Sequence, residues 1–141
     1  MMIDSSSELM LNVFNLAKKA HEGQFRRDRV TPYFNHLMTV ADKVSKYGYE
    51  YVCVAYLHDV LEDTNVTSND LIANGFTQNI VEAVELLTKK ENQTYDEYLR
   101  GIRSNKLARQ VKIADMLSNL GDDPTDKQIV KYAKGLLYLV E

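Results

Sequence analysis

The chain has a single cysteine, no long apolar run, no excess of basic residues and no low-complexity tract, and each absence removes a class of protein. Cys53 has no partner for an intrachain disulfide, so the core must hold the fold. Flanked by Val52 and Val54, it reads as a small packed hydrophobe suited to a reducing, cytoplasmic setting. No stretch approaches the ~20 apolar residues that a membrane span needs, and Met1-Met2-Ile3-Asp4 is not a basic region leading into an apolar one. A membrane is therefore not an expected partner. Seventeen Lys and Arg against twenty Asp and Glu leave a formal net charge of −3 with no basic stripe, which gives no support to a nucleic-acid interface. Strand-like alternation and internal repeats are missing too. The 141 residues fit one domain, residues 1–141, able to bury about two-thirds of its unfolded surface.

What the sequence does contain is helical periodicity. Ser5-Ser6-Ser7-Glu8 carries a capping-box pattern from Ser5 to Glu8, and Leu9, Val13, Leu16, Ala17 and Ala20 predict a helix from about Ser7 to Ala20. A polar loop from His21 to Tyr33 follows, with three arginines, a glycine and a proline. The second helix opens at Tyr33-Phe34-Asn35-His36, buries Leu37, Val40, Ala41 and Val44, and has Gly48 as its stop. The third, Tyr51 to about Glu62, is apolar almost all round and should be central. A short helix capped by Thr67-Ser68-Asn69-Asp70 and ending at Gly75, a helix from Ile80 to Thr88, one from Tyr95 to Ile102 capped by Thr94, and one from Asn105 to Leu120 come next. A last helix follows Asp123-Pro124, with the proline at its tolerated first positions. The expected architecture is an all-α bundle of about seven or eight helices.

One stretch of that core helix, Ala55 to Asp63, holds four ionisable groups. Helical spacing sets His58 over Glu62 and Asp59 over Asp63. Three carboxylates within five residues repel one another unless a cation lies near, and imidazole with carboxylates suits a divalent metal. A solvated helix end with its acids facing water gives the same pattern. His36 alone reads equally as a hydrogen-bonded structural residue, and Asp115 as a surface acid. His58 and Asp59 are adjacent and leave a helix about 100° apart, so they share one ion only if it straddles the helix. Asp115 and Asn119, four apart, share a face. Arg26 and Arg27 sit where a planar fork could clamp a pyrophosphate, although a solvated surface suits Arg27 as well.

Taken in order, the motifs say more. Ala20-His21-Glu22-Gly23-Gln24, Arg26-Arg27, Pro32-Tyr33-x-x-His36, Leu57-His58-Asp59-Val60-Leu61-Glu62-Asp63-Thr64, Leu86-Leu87-Thr88 and Val111-Lys112-x-Ala114-Asp115-x-x-Ser118-Asn119-Leu120 resemble, in sequence and spacing, the hydrolase domain of the RelA/SpoT family, within the HD superfamily of metal-dependent phosphohydrolases. The motifs run from about Ala17 to Leu120. The family's synthetase and regulatory domains have no room here, so the expectation is a small stand-alone HD-domain hydrolase. The resemblance implies removal of the 3′-pyrophosphate from guanosine tetra- or pentaphosphate, (p)ppGpp, yielding GDP or GTP, with manganese (Mn2+) as cofactor and a nucleotide as the small-molecule partner. It implies His36, His58, Asp59 and Asp115 as metal ligands, Glu62 and Asp63 as the acidic pair that activates and orients water, and Arg26, Lys112 and Asn119 as substrate-binding residues.

The loop after Gln24 departs from the family pattern. The glycine usual before Pro-Tyr is replaced by Val30-Thr31, and Asp28 and Arg29 are placed to bridge internally. Base selectivity is therefore open, and two alternatives stand beside the first reading. One is an HD phosphatase for another nucleotide, such as a nucleoside monophosphate or a phosphorylated dinucleotide cofactor; the other is a non-catalytic nucleotide- or metal-binding sensor, against which the intact Glu62 and Asp63 argue. Tyr95, Tyr98, Tyr132 and Tyr138 lie at helical spacing and read as core, or as the interface of a homo-oligomer, rather than as a stacking platform.

Overall fold

The apolar periodicity resolves into helices throughout a computed structural model that describes residues 5–141, with the side chain of residue 5 outside the description. The Ser5–Glu8 capping pattern accordingly falls outside it. Among the described residues the helices are α1 (Ser5–Ala20), α2 (Phe34–Val44), α3 (Tyr49–Leu57), α4 (Val60–Asp63), α5 (Ser68–Ala73), α6 (Gln78–Leu86), α7 (Tyr95–Arg103), α8 (Lys106–Leu120) and α9 (Asp126–Val140), with a 3₁₀ turn at Ser45–Tyr47. The only pairing of β type among them is an isolated bridge between Phe25 and Pro32. All eight expected helices are present, and the ninth arises because the expected Tyr51–Glu62 helix is divided at His58-Asp59.

The helix ends follow their local chemistry. Thr67 with Asp70 and Thr94 with Glu97 form reciprocal capping boxes, so two backbone donors are satisfied at each start. Gly48, at φ 120°, closes the 3₁₀ turn after α2 in a conformation that other residues avoid. Pro124 differs from expectation. Thr125 caps α9 with Gln128, which leaves the proline just outside the helix.

As its apolar circumference requires, α3 is central, packing against α1, α2, α6 and α8, with Cys53, Val54, Ala55 and Leu57 fully buried. Burial pushes the Cys53 thiol up to about 12, so it is an unreactive core residue. Where α1, α2 and α3 meet, Phe14, Phe34 and Tyr56 form a second cluster, with Phe14 edge-on to Phe34 at 5.1 Å and Phe34 stacked on Tyr56 at 5.6 Å. This cluster fixes the start of α2, and therefore His36. Because α8 packs on both α2 and α3, three helices converge at one point.

Candidate metal centre

Three local devices aim side chains at that point. The first is the loop between α1 and α2, closed by the bridge in which Arg26 N donates to Thr31 O (2.8 Å) and Tyr33 N donates to Gln24 O (2.8 Å). The expected Asp28–Arg29 pair does not form among the described residues. Asp28 instead accepts from Val30 N, Thr31 N and the Thr31 hydroxyl, and these bonds hold its carboxyl below the usual range. The turn they build puts Arg29 at φ 65° and delivers Tyr33 and His36 to the first turn of α2.

The second device is the break at His58-Asp59. His58 Nδ1 lies 2.6 Å from the Ala55 carbonyl oxygen, and Asp59 adopts φ −107°, ψ 0°, outside the helical range, before α4 resumes. In a continuous helix the two side chains would diverge. Here His58 Nε2 comes within 3.1 Å of Asp59 Oδ2. The third device is α8, whose Lys112, Asp115, Ser118 and Asn119 share one face at spacings of three and four.

The result is a buried acceptor cluster. His36 Nε2 is 2.8 Å and His58 Nε2 is 3.3 Å from Asp115 Oδ1, and ligand atoms of His36, His58 and Asp115 all lie within 4.8 Å of one another. All three residues are buried. A carbonyl oxygen only accepts, so His58 must carry its proton on Nδ1 to bond Ala55, which leaves Nε2 bare in the neutral ring. That nitrogen is buried, makes no well-formed hydrogen bond and faces two carboxylate oxygens. Two imidazole nitrogens and a carboxylate oxygen that converge in this way need a cation among them, a proton or a metal ion. The donor set fits a divalent metal. Burial alone would depress the His58 imidazolium, but Asp59 and Asp115 outweigh it and hold its pKa well above the ordinary value. Burial likewise opposes ionisation of Asp59 and Asp115. The His58 charge nevertheless draws Asp59 down to about 2, and Lys112, then His58 and His36, hold Asp115 well below the carboxylate range.

The remaining sequence-derived residues fall into two groups. Lys112 Nζ is 3.1 Å from Asp115 Oδ2, and Asn119 Nδ2 is 3.5 Å from Asp115 Oδ1, so both border the cluster. Asp63 lies at its mouth, where burial and Asp59 raise its pKa. Asp59 is beside the three-residue cluster rather than inside it, and its Oδ2 accepts the Tyr33 hydroxyl. Glu62 is turned away: its Oε1 accepts from Lys89 N at 2.5 Å, in the segment joining α6 to α7. The arginine fork is also already engaged. Arg26 donates to Asp122 Oδ2 through Nε (3.0 Å) and a terminal nitrogen (2.7 Å) and to Asn119 Oδ1 (3.1 Å), while Arg27 bonds the Asp122 and Asp123 carbonyls and Gln128.

Two contributors carried no assigned role in the sequence reading. Tyr33 is one, although its place three residues before His36 puts it on the same helix face. Ser118, whose hydroxyl lies 3.0 Å from His36 Nδ1, is the other, three residues after Asp115.

The fold and this cluster define an HD-domain architecture, and the HD domain family profile matches residues 14–118; the chain belongs to that family. Among its relatives is the guanosine-3′,5′-bis(diphosphate) 3′-pyrophosphohydrolase MESH1 of Xenopus tropicalis, 33% identical over 130 residues that cover 85% of this chain and 72% of the relative. A longer bacterial guanosine-3′,5′-bis(diphosphate) 3′-pyrophosphohydrolase, from Aquifex aeolicus, is 27% identical over 124 residues, covering 81% of this chain and 18% of that protein. The solved structure of a metazoan ortholog of SpoT that hydrolyzes ppGpp superposes with a TM-score of 0.78 at 24% identity, covering 100% of this chain and 88% of the other. Among the described residues no helix is long and apolar enough to cross a membrane.

Proposed function

We propose that the chain is a single-domain, manganese-dependent hydrolase that removes the 3′-pyrophosphate of (p)ppGpp and releases GDP or GTP. The observation that carries this reading is the buried His36–His58–Asp115 cluster, with His58 Nε2 aimed at Asp59 and Asp115, in a chain 33% identical to a named 3′-pyrophosphohydrolase. His36, His58 and Asp115 would hold the metal, with Asp59 completing the set. A divalent ion bound there supplies Lewis acidity toward a phosphoryl oxygen and makes water more acidic.

The chain's own residues divide the remaining work. Asp63, whose carboxyl pKa is raised by burial and by Asp59, orients the attacking water and accepts its proton. Glu62 serves beside it once its carboxylate is drawn from the Lys89 amide. As the water oxygen bonds to phosphorus, the bond to the ribose 3′-oxygen breaks and that oxygen takes up a proton. Lys112 balances charge on the phosphoryl oxygens, and its pKa, raised by Asp115 against the cost of burial, keeps it cationic throughout the working range. Asn119 and Arg26 border the side on which the nucleoside enters.

The test is chromatography of guanosine tetraphosphate with the metal-stripped protein, the manganese-reloaded protein and an Asp59→Ala control. GDP and pyrophosphate should appear only with the reloaded wild type. Turnover confined to another nucleotide transfers the chemistry to a different HD phosphatase activity, and metal binding with no turnover of any nucleotide refutes the hydrolase reading.

A further inference from the structure

The arginines that sequence pattern assigns to phosphate are already engaged in the folded chain. Arg26 is paired with Asp122, and Arg27 is spent on the carbonyls that join α8 to α9. Lys112 is paired with Asp115. A nucleotide with diphosphates at both 3′ and 5′ positions carries a second anionic group far larger than these pairs can balance. Its cations must come from elsewhere.

The groove between α7 and α9 supplies them. It encloses about 480 Å³, with Leu99 and Gly135 as its floor and Tyr95, Arg100, Lys131, Lys134 and Tyr138 among its walls. At its floor α9 packs closely on α8, where a Cβ on Gly135 would lie 2.8 Å from the mobile end of the Met116 side chain. Asp96 is the acidic residue of the wall, yet neither lysine nor Arg100 comes within ion-pair distance of a carboxylate among the described residues. An aromatic ring holds Lys131 instead, its Nζ 4.7 Å from the Tyr95 ring centre, and Tyr138 of the same wall carries Arg103 4.8 Å over its ring. A ring positions a cation without cancelling its charge, which leaves that charge available to an anion. The groove also connects to the metal centre through packed neighbours: the Tyr95 and Tyr98 rings lie 5.9 Å apart, and Lys112 Nζ is 5.4 Å from the Tyr98 ring centre and 3.1 Å from Asp115 Oδ2.

We infer that the α7–α9 groove is the subsite for the distal, 5′-diphosphate of the substrate, with Lys131, Lys134 and Arg100 as its anion-binding residues. This rests on the hydrolase reading above, and the test separates the two. GDP and guanosine are titrated into the metal-free full chain by calorimetry, and steady-state kinetics are run on the manganese-loaded chain with guanosine tetraphosphate and with a guanosine 3′-diphosphate that lacks 5′-phosphates. Both lysines are exposed, so Lys131→Ala/Lys134→Ala should melt as wild type does. Exposed charge pairs are worth up to about 1 kcal/mol each, so the double variant should lose about tenfold in affinity for GDP and raise KM for the tetraphosphate about tenfold, with kcat little moved. Guanosine binding, and KM for the truncated substrate, should change far less. Equal binding of GDP and guanosine by wild type, or the same KM change for both substrates, overturns the subsite. GDP binding that depends on the two lysines in a protein that never cleaves the tetraphosphate keeps the subsite and sinks the hydrolase reading.

Discussion

Tyr33→Phe removes a single oxygen and tests how the centre is held. The ring itself stays packed between His21 (5.2 Å) and His36 (5.6 Å), so the substitution isolates the hydroxyl that donates to Asp59 Oδ2. Asp59 is a half-buried carboxylate whose charge is maintained against desolvation by His58 and by this donor. A hydrogen bond to a charged acceptor contributes about 1.5–3 kcal/mol, which is about 10- to 150-fold in an equilibrium constant. Loss of such an outer partner typically weakens metal binding or activity by about 10–100-fold. The expected result is a manganese affinity lower by about one to two orders of magnitude, measured by competition against a chromophoric chelator, together with a smaller metal-induced rise in melting temperature. Unchanged affinity with an unchanged metal-dependent melt would show that Asp59 is oriented without Tyr33, and the argument would fail.

Three further outcomes follow from the same geometry. His58→Ala should abolish metal retention and turnover together, whereas Glu62→Gln, which keeps an oxygen acceptor for Lys89 N, should retain metal and fold while losing about 10²-fold or more in rate; full activity in Glu62→Gln would refute its catalytic assignment. The metal-free protein should be destabilised at both ends of the pH range. The raised His58 pKa contributes stability that is present below its ordinary value near 6.5 and lost as pH rises through the folded value, and the depressed Asp59 contributes stability that is present above about 4 and lost as pH falls toward about 2. Urea unfolding of the stripped protein from pH 3 to 9 should therefore be weaker at both ends, and manganese should remove the alkaline loss; a flat profile above pH 6.5 contradicts the His58 assignment. Asp122→Ala should free Arg26 for a phosphate and tighten binding of guanosine 3′-diphosphate a few-fold in calorimetry, while weaker binding would mean that Asp122 itself holds the nucleotide side of the site.

The fold was legible because burial here follows local period: the all-round apolar pattern of Val52 to Leu61 required a central helix, and α3 is central. The cluster was legible in part, because His36, His58 and Asp115 lie on three segments whose motifs are fixed in order and spacing. The break at His58-Asp59 was not. It depends on the His58 ring reaching back to the Ala55 carbonyl, a contact that helical periodicity cannot register, and it is what lets adjacent side chains converge where a continuous helix would part them. The position of the Glu62 carboxylate was not legible for a related reason. Spacing put it on the face of His58, but its carboxylate is captured by the Lys89 amide, 27 residues away. The fate of the arginines was still harder to read, since Arg26 meets Asp122 across 96 residues and no local rule connects a loop after α1 with the turn after α8. That pairing engages Arg26, which sequence pattern would give to phosphate, and leaves Lys131, held over Tyr95, and Lys134 of α9 without a carboxylate partner among the described residues. A site's chemistry can therefore be named from its motifs, whereas the direction from which its substrate's charge is met depends on which long-range pairs have already formed.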